Sequence, residues 1–147
     1  MSIATRTART TWVDGLAEGS GTIHPDSGAF DDLNVTWASR TEEPGGKTSP
    51  EELCAAAHSS CFSMALALKL GEAKTPPTEL RVAAEVTLDE VEGVPTIVSS
   101  ALQVEARVEG IEAGAFDAAV AAAAELCPVS RLFAGAEISV EASLMEE

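Results

Sequence analysis

The stretch Ser49–Leu70, SPEELCAAAHSSCFSMALALKL, spaces Cys54, His58 and Cys61 at i, i+4 and i+7, which puts all three side chains on one stripe of a helix. Three chemistries fit that stripe. A zinc site would use the three as ligands and need a fourth, for which His24 and Cys127 are the unused nitrogen and sulfur donors. A plain core would bury them, cysteine being among the most buried residue types and a core histidine being hydrogen-bonded. For Cys54, flanked by Leu53 and a run of alanines, the core reading is preferred. The third chemistry makes Cys61 a reactive thiolate, and this sets a demand. In mid-helix Cys61 gets no help from the helix dipole, and burial would raise its pKa. His58, titrating near 6.5, is only a part-time cation. An arginine serves better, and the candidates are Arg40, before the loop TEEPGGK, and Arg131, four residues after Cys127.

The helix that positions these groups announces its own start. Ser49 is the expected N-cap, Pro50 the first helical residue and Glu52 the partner that closes a capping box. Glu51 is left over for another task. Gly71 is the expected stop, giving a helix of about 21 residues, roughly 30 Å long. Leu53, Phe62, Leu66 and Leu70 cover one side and Cys54, His58, Cys61, Ala65 and Leu68 another, so little of it looks made for water. A second copy of the chain is expected to supply the missing cover.

Around this helix the pattern is mostly strand. Three weaker strands are expected before it, at roughly Ala8–Asp14, Ala17–His24 and Leu33–Ser39. After it, Leu80, Val82, Ala84, Val86 and Leu88 alternate with polar residues. GVP then turns the chain into Val98, Leu102, Val104, Ala106 and Val108, which makes a hairpin. A second helix is expected over Glu112–Leu126, with Phe116, Val120, Ala123 and Ala124 as its stripe. A last strand has Ile138, Val140, Ala142 and Leu144 inward. The order βββ-α-ββ-α-β indicates an α+β layer fold, not a parallel doubly wound sheet.

With 147 residues, 46% of them hydrophobic, the chain is expected to form one domain, 1–147. Nine Lys+Arg against 24 Asp+Glu, a net charge of −15, argue against nucleic acid and anionic membrane surfaces as partners. The arginine-bearing start, MSIATRTARTTW, is not followed by the apolar core of a secretory signal, and the expectation is a soluble, cytoplasmic protein. Three cysteines without a CxxC do not read as a secreted disulfide framework.

SPEELCAAAHSSCFSMAL together with CPVSRLF closely resembles the OsmC subfamily of the OsmC/Ohr thiol peroxidases, and GSGTI, SGAF, GEA and FDAAV fall where that family has them. The resemblance implies an OsmC-like α+β fold, with antiparallel sheets around a long central helix, in an intertwined homodimer. It implies a peroxidase acting on organic hydroperoxides and less efficiently on hydrogen peroxide, with no metal or organic cofactor. An external dithiol, such as dihydrolipoamide on a carrier protein, would reduce it. Cys61 matches the peroxidatic cysteine and Cys127 the cysteine that closes an intramolecular disulfide with it. Arg40 and Glu51 match the pair that holds the thiolate, with Arg131 as the alternative to Arg40. Glu51 and Cys61 are ten positions apart, roughly 15 Å along one helix, so a Glu51 that serves Cys61 is expected to come from a partner's antiparallel helix. The rival expectation is a binding module of the same fold that holds an apolar ligand without turnover. Phe62, Met64 and Phe133 are the residues expected to favour an apolar peroxide tail.

Overall fold

The computed structural model describes residues 1–146; Glu147, the last residue of the expected domain, lies outside them. The chain divides into two compact units, Met1–Leu53 and a second that begins at Cys54.

In the first unit β1 (Ala8–Val13), β2 (Ser20–Pro25) and β3 (Leu33–Val35) form an antiparallel sheet in that order. Trp12 lies opposite Gly21, and a Cβ at Gly21 would stand 2.9 Å from both the Trp12 ring and the Val35 side chain, so only glycine fits. The second strand starts later than expected, because Gly15–Gly19 closes a turn in which the Gly19 amide donates to the Gly15 carbonyl at 2.8 Å. The third ends early, at Val35. Thr36 caps a short helix, α1 (Trp37–Thr41): its hydroxyl accepts from the Ser39 amide at 3.0 Å, and the Ser39 hydroxyl accepts from the Thr36 amide at 2.9 Å. That closed capping box overrides the strand pattern expected through Ser39.

The long helix, α2 (Pro50–Glu72), has 23 residues. Ser49 caps it as expected, its hydroxyl accepting from the Glu52 amide at 3.1 Å. The capping box is not closed, because the Glu52 carboxylate accepts from the Thr48 hydroxyl at 2.6 Å. Nor is Gly71 the stop. Lys74 takes the left-handed conformation (φ 63°). Its amide then reaches the Gly71 carbonyl and the Thr75 amide the Leu70 carbonyl, each at 2.9 Å, a Schellman ending.

In the second unit β4 (Glu79–Val91) and β5 (Val94–Arg107) form the expected hairpin. Glu92 and Gly93 both adopt positive φ, 51° and 77°, as a two-residue turn between twisted strands requires. After α3 (Ala113–Leu126) and α4 (Pro128–Leu132), β6 (Glu137–Leu144) adds to β5. The expectation of purely antiparallel sheets fails here: β6 runs parallel to β5, because a helical crossover between strands of one sheet returns the chain in the same direction. The core joins Phe62, Ala65, Leu66 and Leu70 of α2 to Leu102, Val104 and Ala106 of β5 and Phe116, Ala119 and Ala123 of α3. By length and hydropathy α2 would also cross a bilayer. Its Phe62, Leu66 and Leu70 are instead fully buried in this core, while Met64 and Leu68 are 68% and 51% exposed.

Candidate active site

Cys127 ends α3 and begins α4, where Pro128 forbids continuation of the first helix and opens the second. It is fully buried in the core against which half-buried Cys61 of α2 packs, and the two thiols are near enough to shift each other's pKa. The fold thus brings together two free thiols 66 positions apart in sequence. Their environments differ. Burial pushes the Cys61 thiol up, the Val129 amide offsets part of this, and the neighbouring Cys127 raises it further. Burial also works against charge on Cys127. There the Ser130 hydroxyl and amide, the Cys61 thiol and the Val129 amide outweigh it, and the pKa falls below the ordinary thiol value.

Beside the thiols lies His58, fully buried against Phe133 with ring centroids 5.2 Å apart. Its Nδ1 is 2.6 Å from the Ser100 hydroxyl and its Nε2 2.8 Å from that of Ser130. Burial lowers its pKa, which keeps the ring neutral. Both ring nitrogens are committed to serines, and among the described residues no group of three or more His, Cys, Asp or Glu side chains could hold a metal ion. His24 pairs with Asp32 at 2.5 Å on the exposed face of β2. Cys54 is half-buried, less enclosed than expected of a core residue.

The first unit holds Arg40 and Glu51 as an ion pair. Arg40 donates from Nε to both carboxylate oxygens at 3.0 and 3.2 Å and from a terminal nitrogen to Oε1 at 2.7 Å. Glu51 is buried and Arg40 half-buried, with the guanidinium 5.9 Å from the centre of the Trp37 ring. Charge-assisted bonds in this fork geometry fix both side chains. Arg40 also walls a largely apolar cavity of about 260 Å³, shared with Trp12, Leu16, Ile23, Val35 and Trp37. Arg131, its alternative, is exposed on α4. Of the three residues expected near a peroxide tail, Phe62 is sealed in the core and Met64 is 68% exposed, because residues two positions apart on a helix point about 200° apart. Phe133 alone stands at this site, against His58.

Ser100 and Ser130 were not expected among the site residues. Ser100 left a signal: a polar residue in the inward row of β5, between Val98 and Leu102. Ser130 left none beyond its place three residues after Cys127.

Residues 43–143 match the family described as OsmC-like protein. Over 133 residues the chain is 41% identical to peroxiredoxin OsmC of Escherichia coli K12, covering 90% of this chain and 92% of that one. Among solved structures it resembles the organic hydroperoxide resistance protein OhrB of Bacillus subtilis. The TM-score is 0.71 at 27% identity, over 95% of this chain and 98% of that one. An OsmC of Legionella pneumophila shares the fold, with TM-score 0.74 at 23% identity over 99% and 100% of the two chains. The chain belongs to the OsmC-like family and is one of its peroxiredoxin-type peroxidases.

Proposed function

We propose that this peroxidase reduces organic hydroperoxides, and hydrogen peroxide less efficiently, through a two-cysteine cycle. The Cys61 thiolate attacks the distal peroxide oxygen: an S–O bond forms, the O–O bond breaks, and the alkoxide leaves as an alcohol after taking a proton. Cys127 then attacks the sulfenic sulfur of Cys61. An S–S bond forms, the S–O bond breaks, and the hydroxide leaves as water with the proton of the Cys127 thiol. An external dithiol restores both thiols by exchange, in a reducing, cytoplasmic setting. The observation that carries this reading is the meeting of Cys61 and Cys127.

Cys61 still needs a cation, since its own surroundings raise its pKa. In this reading Arg40, pinned by Glu51, supplies it. Because Glu51 and Cys61 are ten positions apart on α2, the pair acts on the Cys61 of a second copy. A homodimer formed along the exposed Met64 and Leu68 face of α2 would allow this. The apolar cavity beside Arg40 supports an organic peroxide tail as the preferred substrate. The same cavity supports the rival, a module that binds an apolar ligand without turnover.

Substitution separates the two. Cys61→Ser is expected to abolish peroxide consumption with the fold intact. Cys127→Ser is expected to stop after one turnover at a sulfenic acid that dimedone traps. A Cys61→Ser protein that keeps its biological function would leave the binding module in possession.

A further inference from the structure

We infer that the buried chain Ser100–His58–Ser130 is a positioning device for Cys127, holding the Ser130 hydroxyl on its sulfur and so preparing it to close the disulfide. The inference rests on the two-cysteine reading. Its geometry runs across three elements: Ser100 on β5 reaches His58 on α2 at 2.6 Å, and His58 reaches Ser130 on α4 at 2.8 Å. Cys127 is the N-cap residue of α4 and Ser130 stands three residues on, in the first turn of that helix. All four residues are buried, Ser130 the least so at 7% exposure.

The proton positions follow from counting donors. A neutral imidazole has one N–H and one lone pair. If Cys127 is a thiolate, Ser130 must donate to it. The Ser130 oxygen then accepts from His58 Nε2–H, and Nδ1 accepts from the Ser100 hydroxyl. Each group has one role and none is orphaned, in keeping with the absence of unsatisfied buried side-chain atoms among the described residues. When Cys127 carries its proton the same chain reverses, the thiol donating to Ser130, Ser130 to Nε2, and Nδ1–H to Ser100. The titratable groups that act on Cys127 are Cys61 of α2 and, through Ser130, His58. A network that served packing alone would gain nothing from ending on a thiol; three apolar side chains of similar volume would fill the same space without buried polar atoms.

The test uses the full chain and two readouts. In a Cys54→Ser, Cys61→Ser background the ultraviolet absorbance of thiolate follows the titration of Cys127. Ser130→Ala is expected to move its midpoint upward by about one pH unit. His58→Gln and Ser100→Ala should move it less, and Ser130→Thr should restore it. In the three-cysteine protein Ser130→Ala is expected to slow disulfide closure roughly tenfold while the preceding peroxide attack stays within about twofold. An unmoved midpoint, or both kinetic phases slowing in proportion, would overturn the inference. A disulfide that closes equally fast in S130A sinks the role of the chain alone. A midpoint shift in an enzyme that never forms the Cys61–Cys127 disulfide sinks the two-cysteine reading, and this role with it.

Discussion

The two units of the chain hold their chemical groups by opposite means. In the first, Ile23 and Val35 are the buried hydrophobic residues, and the buried polar residues Ser39, Thr48 and Glu51 outnumber them. Hydrogen bonds do the holding there: the Thr36–Ser39 box, the Thr48–Glu52 bond and the Arg40–Glu51 fork. In the second unit Phe62, Leu66, Leu70, Leu102 and Val104 are all but fully buried, and Cys61 and Cys127 take their places from that packing. A guanidinium needs water at one side and directed partners at the other, so a thin, polar frame suits it. A thiol has few directed partners, and close packing is what aims it.

Core truncation should give the largest effect and strike the second unit. Leu66→Ala is expected to destabilise it by about 2–5 kcal/mol, read by chemical denaturation, and to slow disulfide closure by loosening the seat of Cys61. A loss under about 1 kcal/mol would mean that packing does not aim the thiols. Removing the cation should strike reactivity and spare that core. Arg40→Met is expected to slow peroxide attack roughly a hundredfold and, by leaving the buried Glu51 carboxylate unpaired, to loosen the first unit as well; Arg40→Lys should recover only part, because an ammonium cannot reproduce the fork on Glu51. If Arg131→Met gives the larger loss, the two arginines exchange roles.

A smaller effect tests the thin frame itself. Gly21→Ala forces a methyl against Trp12 and Val35, and about 1–3 kcal/mol of destabilisation is expected, seen first as a change in tryptophan fluorescence. The smallest concerns pH. Burial holds the His58 pKa below its ordinary value of about 6.5, so the unfolded chain takes up a proton that the folded one refuses. That contribution is fully present above pH ~6.5 and is lost as pH falls from there to the folded pKa. Melting of the native protein should therefore fall more steeply from pH 7 to 5 than melting of His58→Gln, and parallel curves would remove His58 as the cause.

Local signals explain which parts of this molecule were legible in its sequence. Ser49 and Pro50 marked the start of α2, and the alternation on either side of Glu92-Gly93 marked the hairpin, because caps and pleats act within a few residues. Thr36 carried a capping box that the apolar run from Leu33 obscured. The parallel placement of β6 depends on a crossover, and the His58 bonds span 42 and 72 positions, which no periodicity records. Cys61 and Cys127 were named from motif resemblance; spacing alone left their meeting open. Arg40 and Glu51 were likewise expected together, and they pair in the first unit.

The most direct measurement mixes reduced protein with stoichiometric cumene hydroperoxide in a stopped-flow instrument and weighs the product intact. The expected result is rapid oxidation and a mass lower by two hydrogens, with peptide mapping that joins Cys61 to Cys127. A protein left unoxidised, or one joined through Cys54 instead, would contradict the assignment of Cys61 as nucleophile and Cys127 as its partner.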